Sequence, residues 1–415
     1  MTMNQSFIPP KRTIMTPGPV EADPRVLQAL SSPIIGQFDP MFTDLMNQTM
    51  KLVRNLYQTD NEWSFPIDGT SRAGMEALMV SLIEPGDRVL VPIYGRFGYL
   101  LAEIAERCGA DVRIIETEWG SVFEERTIIQ AVHDINPVIT AVVHGETSTG
   151  CMQPLLKTGA ACREHGSLFL VDATATIGGV EFRMDDWYVD AVAGGTQKCI
   201  SGPSGTSPVS FNSRAAAKMN PRKQVERGIR TEHDAESEAP PVRSNYFDLT
   251  QLQDYWSPRR LNHHTEATSM LYALYEALRV IQTEGLEERF SRHLLHEEAI
   301  IAGVKAMGLE VYNNHEAKLP VVTCIRVPEG IDEEAVRQLM LDEFGVEIAS
   351  SFGPLKGMIW RIGSMGYSAR KENVYHVLFA LESALSFFEA PVITGRAAAA
   401  AMEVYRHAAA ASLSR

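Results

Sequence analysis

The chain has 415 residues, too many for one ordinary core, so two domains are expected. Hydrophobic residues make up 45% and charged residues 22%, a soluble globular balance, and no run of about 20 uninterrupted apolar residues suggests a membrane span. The formal net charge of -14 comes without a basic stripe, so no nucleic-acid partner is expected.

The first eleven residues are polar and do not read as a secretory signal. From about residue 65 to 210 short apolar runs alternate with amphipathic stretches. Ala73 to Ile83 reads as a helix ended by Glu84-Pro85-Gly86-Asp87, and Arg88 to Pro92 as a strand. Phe97 to Cys108 is a second helix, Asp111 to Ile115 a strand, and Val138 to Val143 a nearly all-apolar strand. Leu155 to His165 is helical, and Leu168 to Asp172 a strand. Strands this apolar are buried on both faces, which indicates a parallel α/β sheet. Arg230 to Arg243 reads as a loop, and Glu266 to Glu284 as a long helix between domains. Leu319 to Val327, Val346 to Ser350 and Met358 to Ile362 read as strands around a helix at Glu333 to Glu343, a smaller α+β unit. The Ala-rich tail from Gly395 reads as helix, and its last residues, Ser-Leu-Ser-Arg, are not a peroxisomal address. The expected division is 22–275 for a large domain, 1–21 with 276–390 for a small one, and 391–415 for the tail. Five scattered cysteines without a CxxC suit reduced thiols in the cytoplasm, with no disulfide framework and no metal site.

Two residues suggest a chemistry. Asp172 ends an apolar strand, where it could equally cap the next turn. Lys198 follows a buried apolar stretch and stands among Gly194, Gly195, Gly202 and Gly205; an exposed loop lysine is the plainer reading. Glycines let a ligand approach the backbone, and a desolvated lysine becomes a usable nucleophile. Pyridoxal phosphate needs a lysine to form an imine and a carboxylate beside its pyridine nitrogen. Its phosphate needs donors at a helix start, which Asp68-Gly69-Thr70-Ser71-Arg72 could supply, although Thr70 or Ser71 could simply cap that helix. Phe97, after Tyr94-Gly95-Arg96, is the candidate ring cover or else a core phenylalanine.

Several separated motifs carry a family resemblance. They are Thr16-Pro17-Gly18-Pro19, His144-Gly145-Glu146-Thr147-Ser148-Thr149-Gly150, Val171-Asp172-Ala173, Gln197-Lys198, His263-His264-Thr265 and Arg361-Ile362-Gly363. Over nearly all of residues 14 to 388 the chain resembles the class V, fold type I aminotransferases of the alanine–glyoxylate and serine–pyruvate branch. The resemblance implies a large domain on a mostly parallel sheet of the seven-stranded type, with a smaller α+β domain. It implies Lys198 as the lysine that binds pyridoxal 5'-phosphate and Asp172 as partner of the pyridine nitrogen. Thr70, Ser71 and Gln197 match phosphate-holding positions, and Thr147 a hydroxyl near the ring. Arg361 matches the arginine that clamps the substrate carboxylate, a bidentate task, rather than a surface ion pair. Thr265 matches a residue that reaches the neighbouring chain's phosphate, so a homodimer with shared sites is implied.

The chain departs from the family at Phe97, where Trp is frequent, at Asn262, where His or Tyr is common, and at Gln37, where many relatives carry His. Gln37 and Asn262 offer two carboxamides near the mouth of the family site. A ureido group presents the complementary donors and acceptor. In this the chain resembles the ureidoglycine–glyoxylate aminotransferases of purine catabolism, with (S)-ureidoglycine as amino donor and glyoxylate as acceptor. The alternatives are an alanine or serine–glyoxylate enzyme in which both residues have drifted, a cysteine desulfurase, and a non-catalytic relative of the same fold. Cys199, beside the lysine, and Cys324, inside a strand, suit a desulfurase poorly, and a non-catalytic relative would be expected to lack Lys198, Asp172 or Arg361.

Overall fold

The apolar runs between residues 63 and 211 join in one sheet. A computed structural model describes residues 6–232, 234, 237–313 and 316–413. The seven strands lie in the order Trp63–Asp68, Thr206–Phe211, Ala191–Ala193, Leu168–Asp172, Ile139–Val143, Arg88–Ile93 and Asp111–Glu116. Thr206–Phe211 runs antiparallel to both neighbours, and the other pairings are parallel. Ile139–Val143 and Leu168–Asp172 are buried at every position. Successive strand side chains point to opposite faces, so both faces of the sheet centre are covered. Asp111–Glu116 is only partly buried because it forms the sheet edge.

Three helices between these strands fall within two residues of the sequence expectation, Ser71–Leu82, Arg96–Cys108 and Leu156–Glu164, and a fourth, Glu125–Ile135, was not expected. Val143, Asp172 and Ala193 stand opposite one another in register. The loops that follow these strands therefore gather at one edge of the sheet, where open α/β sheets place their ligands.

The expected helix from Glu266 starts instead at Thr268 and ends at Glu284. Glu266 lies buried in the preceding loop. A second helix, Leu286–Ala306, follows after Gly285, whose φ of 88° breaks the first. Among the described residues the segment 230–243 contains no helix or strand, and residues 233, 235 and 236 of that expected loop lie outside the description.

In the C-terminal half, Val322–Arg326, Ile359–Gly363 and Ala349–Ser350 form an antiparallel sheet. The strand expected over Val346 to Ser350 is split in two. Val346–Glu347 pairs in parallel with Thr13–Ile14, and Ala349–Ser350 turns to the other sheet. Buried Ile348 lies at the switch. The tail is a helix, Ala397–Leu413, which packs on Leu286–Ala306 and buries Ala397, Ala401 and Tyr405. The Tyr405 hydroxyl lies 2.8 Å from His296 Nδ1. One apolar core surrounds the seven-stranded sheet, and another joins Met15 to residues between Ala299 and Tyr405. A third, including Val20, Cys199, Val321 and Met365, lies where the two halves meet. No described helix is long and apolar enough to cross a membrane.

Candidate active site

The loops at the carboxyl edge of the sheet enclose a cavity of about 410 Å³, within the range of small-molecule sites. Lys198 and Asp172 line it, with Thr70, Ser71 and Gln197 at one end and Phe97 and Thr147 along the wall. Lys198 keeps some accessible surface because it faces the cavity, while protein packs closely around the rest of it. Its Nζ donates to the Pro17 carbonyl. A side chain at Gly18, whose φ is 106°, would collide with Lys198. This gives the Thr-Pro-Gly-Pro motif a physical role that the sequence did not disclose: it closes over the lysine. Burial, helped by the Arg361 charge, lowers the Lys198 amine from 10.5 to about 8.

Asp172 is buried at the strand end, and its Oδ1 accepts from the Thr174 backbone N–H at 2.9 Å. The turn-capping role is thus real, but it occupies one oxygen only. Burial raises the carboxyl above its ordinary range, against the Thr174 hydrogen bonds and the Lys198 charge. At the other end, Thr70 precedes the helix Ser71–Leu82 and makes no side-chain cap bond. The Ala73 N–H donates to the Thr70 carbonyl, and the Ser71 and Arg72 N–H groups at the positive end of the helix dipole are left to an anion. Gln197 Nε2 donates to Ser71 Oγ at 2.9 Å, so that hydroxyl keeps its own proton to donate.

Phe97 is held by a residue to which sequence reasoning gave no role. The buried Glu146 carboxylate accepts from Phe97 N at 2.8 Å, Ser148 N at 3.0 Å and Ser148 Oγ at 2.6 Å. It ties the start of the helix Arg96–Cys108 to the turn carrying Thr147. The only sequence signal was its place inside the His144–Gly150 motif.

Arg361 is not in the cavity wall but lies directly behind it. Its Nη1 donates to the Thr147 carbonyl and its Nε to the Ser350 carbonyl, both at 2.7 Å. No described residue accepts from Nη2, and none forms an ion pair with this guanidinium. Burial lowers it from 12.5 to about 10. The Phe352 ring lies between two guanidiniums, Arg361 at 4.8 Å and Arg96 at 3.9 Å from its centroid. Neither Phe352 nor Arg96 was anticipated.

Gln37 and Asn262 come together, with Gln37 Nε2 donating to Asn262 Oδ1 at 3.2 Å. They do not line the Lys198 cavity of their own chain, contrary to a simple single-chain reading. Asn262 and Thr265 are exposed, and Gln37 Oε1 is buried without a partner. Around Gln37 the apolar side chains of Ile34, Phe38 and Met41 are 72%, 86% and 69% exposed.

The cavity fits pyridoxal phosphate on its own geometry. It offers an amine that loses its proton easily and a buried carboxylate that a cation would stabilise. It also offers an uncapped helix start with hydroxyls for a phosphate, and an aromatic side chain. Residues 32–357 match the family model described as aminotransferase class V. The chain is 58% identical to the (S)-ureidoglycine–glyoxylate transaminase of Bacillus subtilis (strain 168), covering 98% of this chain and 99% of that one. It is 33% identical to the alanine–glyoxylate aminotransferase of Drosophila melanogaster, covering 93% and 95%. The crystal structure of ureidoglycine–glyoxylate aminotransferase from Bacillus subtilis is similar with a TM-score of 0.92 and 56% identity, covering 97% of this chain and 100% of that one. For the alanine–glyoxylate aminotransferase of Nostoc sp. the TM-score is 0.86 at 38% identity, covering 92% and 97%. The chain belongs to the class V aminotransferases, pyridoxal-phosphate enzymes of fold type I.

Proposed function

We propose that this enzyme transfers the amino group of (S)-ureidoglycine to glyoxylate, giving oxalurate and glycine, as a step of purine catabolism in the cytoplasm. The observation that carries the substrate is the Gln37–Asn262 carboxamide pair, together with the buried, unpartnered Gln37 Oε1. A ureido group can donate to that oxygen and accept from a carboxamide N–H, whereas an alanine side chain can do neither. The printed activity of the 58% identical relative agrees with this reading, and the alanine–glyoxylate relatives are more distant.

The bound cofactor supplies an electron sink for the charge left when the donor's Cα loses its proton. Lys198 would hold the cofactor and is placed to take that proton and return it. Asp172 would keep a positive charge at the pyridine nitrogen. Thr70, Ser71 and Gln197 would hold the phosphate, and Phe97 and Thr147 would lie along the ring. Arg361 uses its open Nη2 edge for the carboxylate of each substrate in turn.

The Gln37–Asn262 pair acts on a second copy of the chain, in a homodimer whose sites draw on both subunits. The exposed apolar residues Ile34, Phe38 and Met41 beside Gln37 suit coverage by that second copy, and Thr265 reaches the neighbour's phosphate. A cysteine desulfurase is disfavoured because burial pushes the Cys199 thiol up to about 12 and the Cys324 thiol higher still.

The test compares donors with glyoxylate as acceptor. Wild type is expected to prefer ureidoglycine over alanine and serine, and Gln37→His with Asn262→Tyr to lose that preference. A wild type that prefers alanine or serine overturns the substrate and leaves the enzyme class standing.

A further inference from the structure

Outside the cavity, three side chains with no assigned role converge. Asp68 ends the strand Trp63–Asp68, immediately before the Gly69-Thr70-Ser71 loop. His264 and Glu266 flank Thr265 on the segment that also carries Asn262. His264 Nε2 lies 3.3 Å from Asp68 Oδ2 and 3.6 Å from Glu266 Oε2. One ligand atom from each residue lies within 4.8 Å of the others. The Glu266 side chain is only 1% exposed, Asp68 9% and His264 13%.

His263 Nδ1 lies 2.9 Å from His264 Nδ1, so that side of the His264 ring is taken up by His263, and His264 Nε2 faces the two carboxylates. Both Glu266 oxygens, Asp68 Oδ1 and His264 Nε2 are buried and make no hydrogen bond of regular geometry, with the Tyr255 hydroxyl and the Asp68 carboxyl as the polar neighbours of Glu266. The Ala267 N–H donates to Asp68 Oδ2 at 2.9 Å, and no described lysine or arginine forms an ion pair with any of the three. Buried groups of this kind are stable only when matched.

Size points the same way. Metal–ligand bonds of about 2.0–2.2 Å at tetrahedral angles set neighbouring ligand atoms roughly 3.3–3.6 Å apart. The two observed separations, 3.3 and 3.6 Å, are of that length. An imidazole with two carboxylates and no thiolate suits divalent transition metals of the zinc or manganese kind.

We propose that Asp68, His264 and Glu266 bind one divalent transition-metal cation in each subunit. The ion clasps the strand leading into the Thr70–Ser71 loop to the segment bearing Asn262 and Thr265. Its role is positioning, since none of its ligands lines the cavity.

The holoenzyme, dialysed against EDTA and then against metal-free buffer, is titrated with Mn2+ and separately with Zn2+ by calorimetry. Metal content after gel filtration and the melting temperature are measured alongside. Saturable binding of one ion per subunit and a metal-dependent rise in melting temperature are expected. Glu266→Gln and Asp68→Asn, each nearly isosteric, are expected to weaken binding by about 100-fold or more while keeping the cofactor's visible absorbance. If one variant fails to fold, the other serves. Wild type that binds neither ion, or variants that bind as wild type does, overturns the proposal. So does a melting temperature that follows pH and ignores metal, because protons then fill the cluster. None of these readouts depends on which amino donor the enzyme uses.

Discussion

An amine buried beside a guanidinium gives up its proton early, and Lys198 is such an amine, at about 8. In cofactor-stripped enzyme the unprotonated amine is the nucleophile. Its fraction grows as pH rises through about 8 and saturates above. The rate of cofactor capture, followed by absorbance, is expected to rise across that interval and then flatten; a pH-independent rate would falsify the role of burial. Lys198→Ala should lower kcat by about 100- to 10,000-fold, the usual worth of a positioned general base, with the protein still folded by circular dichroism. Arg361→Lys replaces a fork by a point charge that cannot hold both the Ser350 and Thr147 carbonyls. A loss of about 1.5–3 kcal/mol, the worth of a hydrogen bond to a charged group, means roughly 10- to 150-fold in kcat/KM for glyoxylate. Of the eight residues expected at the cofactor, all but Thr265 line the cavity, because glycines and strand ends are local marks. Pro17, Gly18 and Glu146 were silent because their work is done across long stretches of chain: Pro17 meets Lys198, and Glu146 meets Phe97.

At the scale of elements, the strands buried on both faces were the easiest to read. Ile139–Val143 and Leu168–Asp172 lie within one residue of expectation, since an apolar run with no alternation has one stable place in a sheet. Thr206–Phe211 escaped notice because two serines, a threonine and a proline disguise a strand buried at every position. Val346 to Ser350 read as one strand because its sequence holds no mark of the switch between two sheets. The tail helix Ala397–Leu413 reads as helix from composition, yet its seat was invisible. Tyr405→Phe removes the hydroxyl that meets His296 and is expected to cost about 0.5–1.5 kcal/mol. Deleting residues 397–415 should cost more, by uncovering the helix Leu286–Ala306, and differential scanning calorimetry reads both changes.

For the whole molecule we propose two domains, 22–275 and 1–21 with 276–390, and a tail at 391–415; the apolar core around the sheet reaches on to Ile281, and the core around Met15 takes in Ala397 to Tyr405. The dimer offers a sharper test. A Lys198→Ala chain and a Gln37→His/Asn262→Tyr chain should each be inactive toward ureidoglycine as homodimers. Mixed and refolded together they form hybrids, in which one cavity has its own Lys198 and the other chain's Gln37 and Asn262. Random pairing under twofold symmetry restores about one site in four. Activity that stays at the level of the separate variants would place the pair in its own chain's site and remove the argument for sharing.

The short strand Thr13–Ile14 has one further consequence. Its partners are Val346 and Glu347, and Met15 O accepts from Gly363 N at 2.7 Å. Pro17, just beyond, is the residue that meets Lys198. Residues 13–17 are made more than 300 residues before 346–363. The sheet can form while synthesis continues, but the segment that closes over Lys198 has no berth until the small domain exists. Completion of the surroundings of Lys198 is therefore a record that the chain has been translated past residue 363. A chain stopped before residue 346 keeps every strand of the seven-stranded sheet and still lacks a finished site.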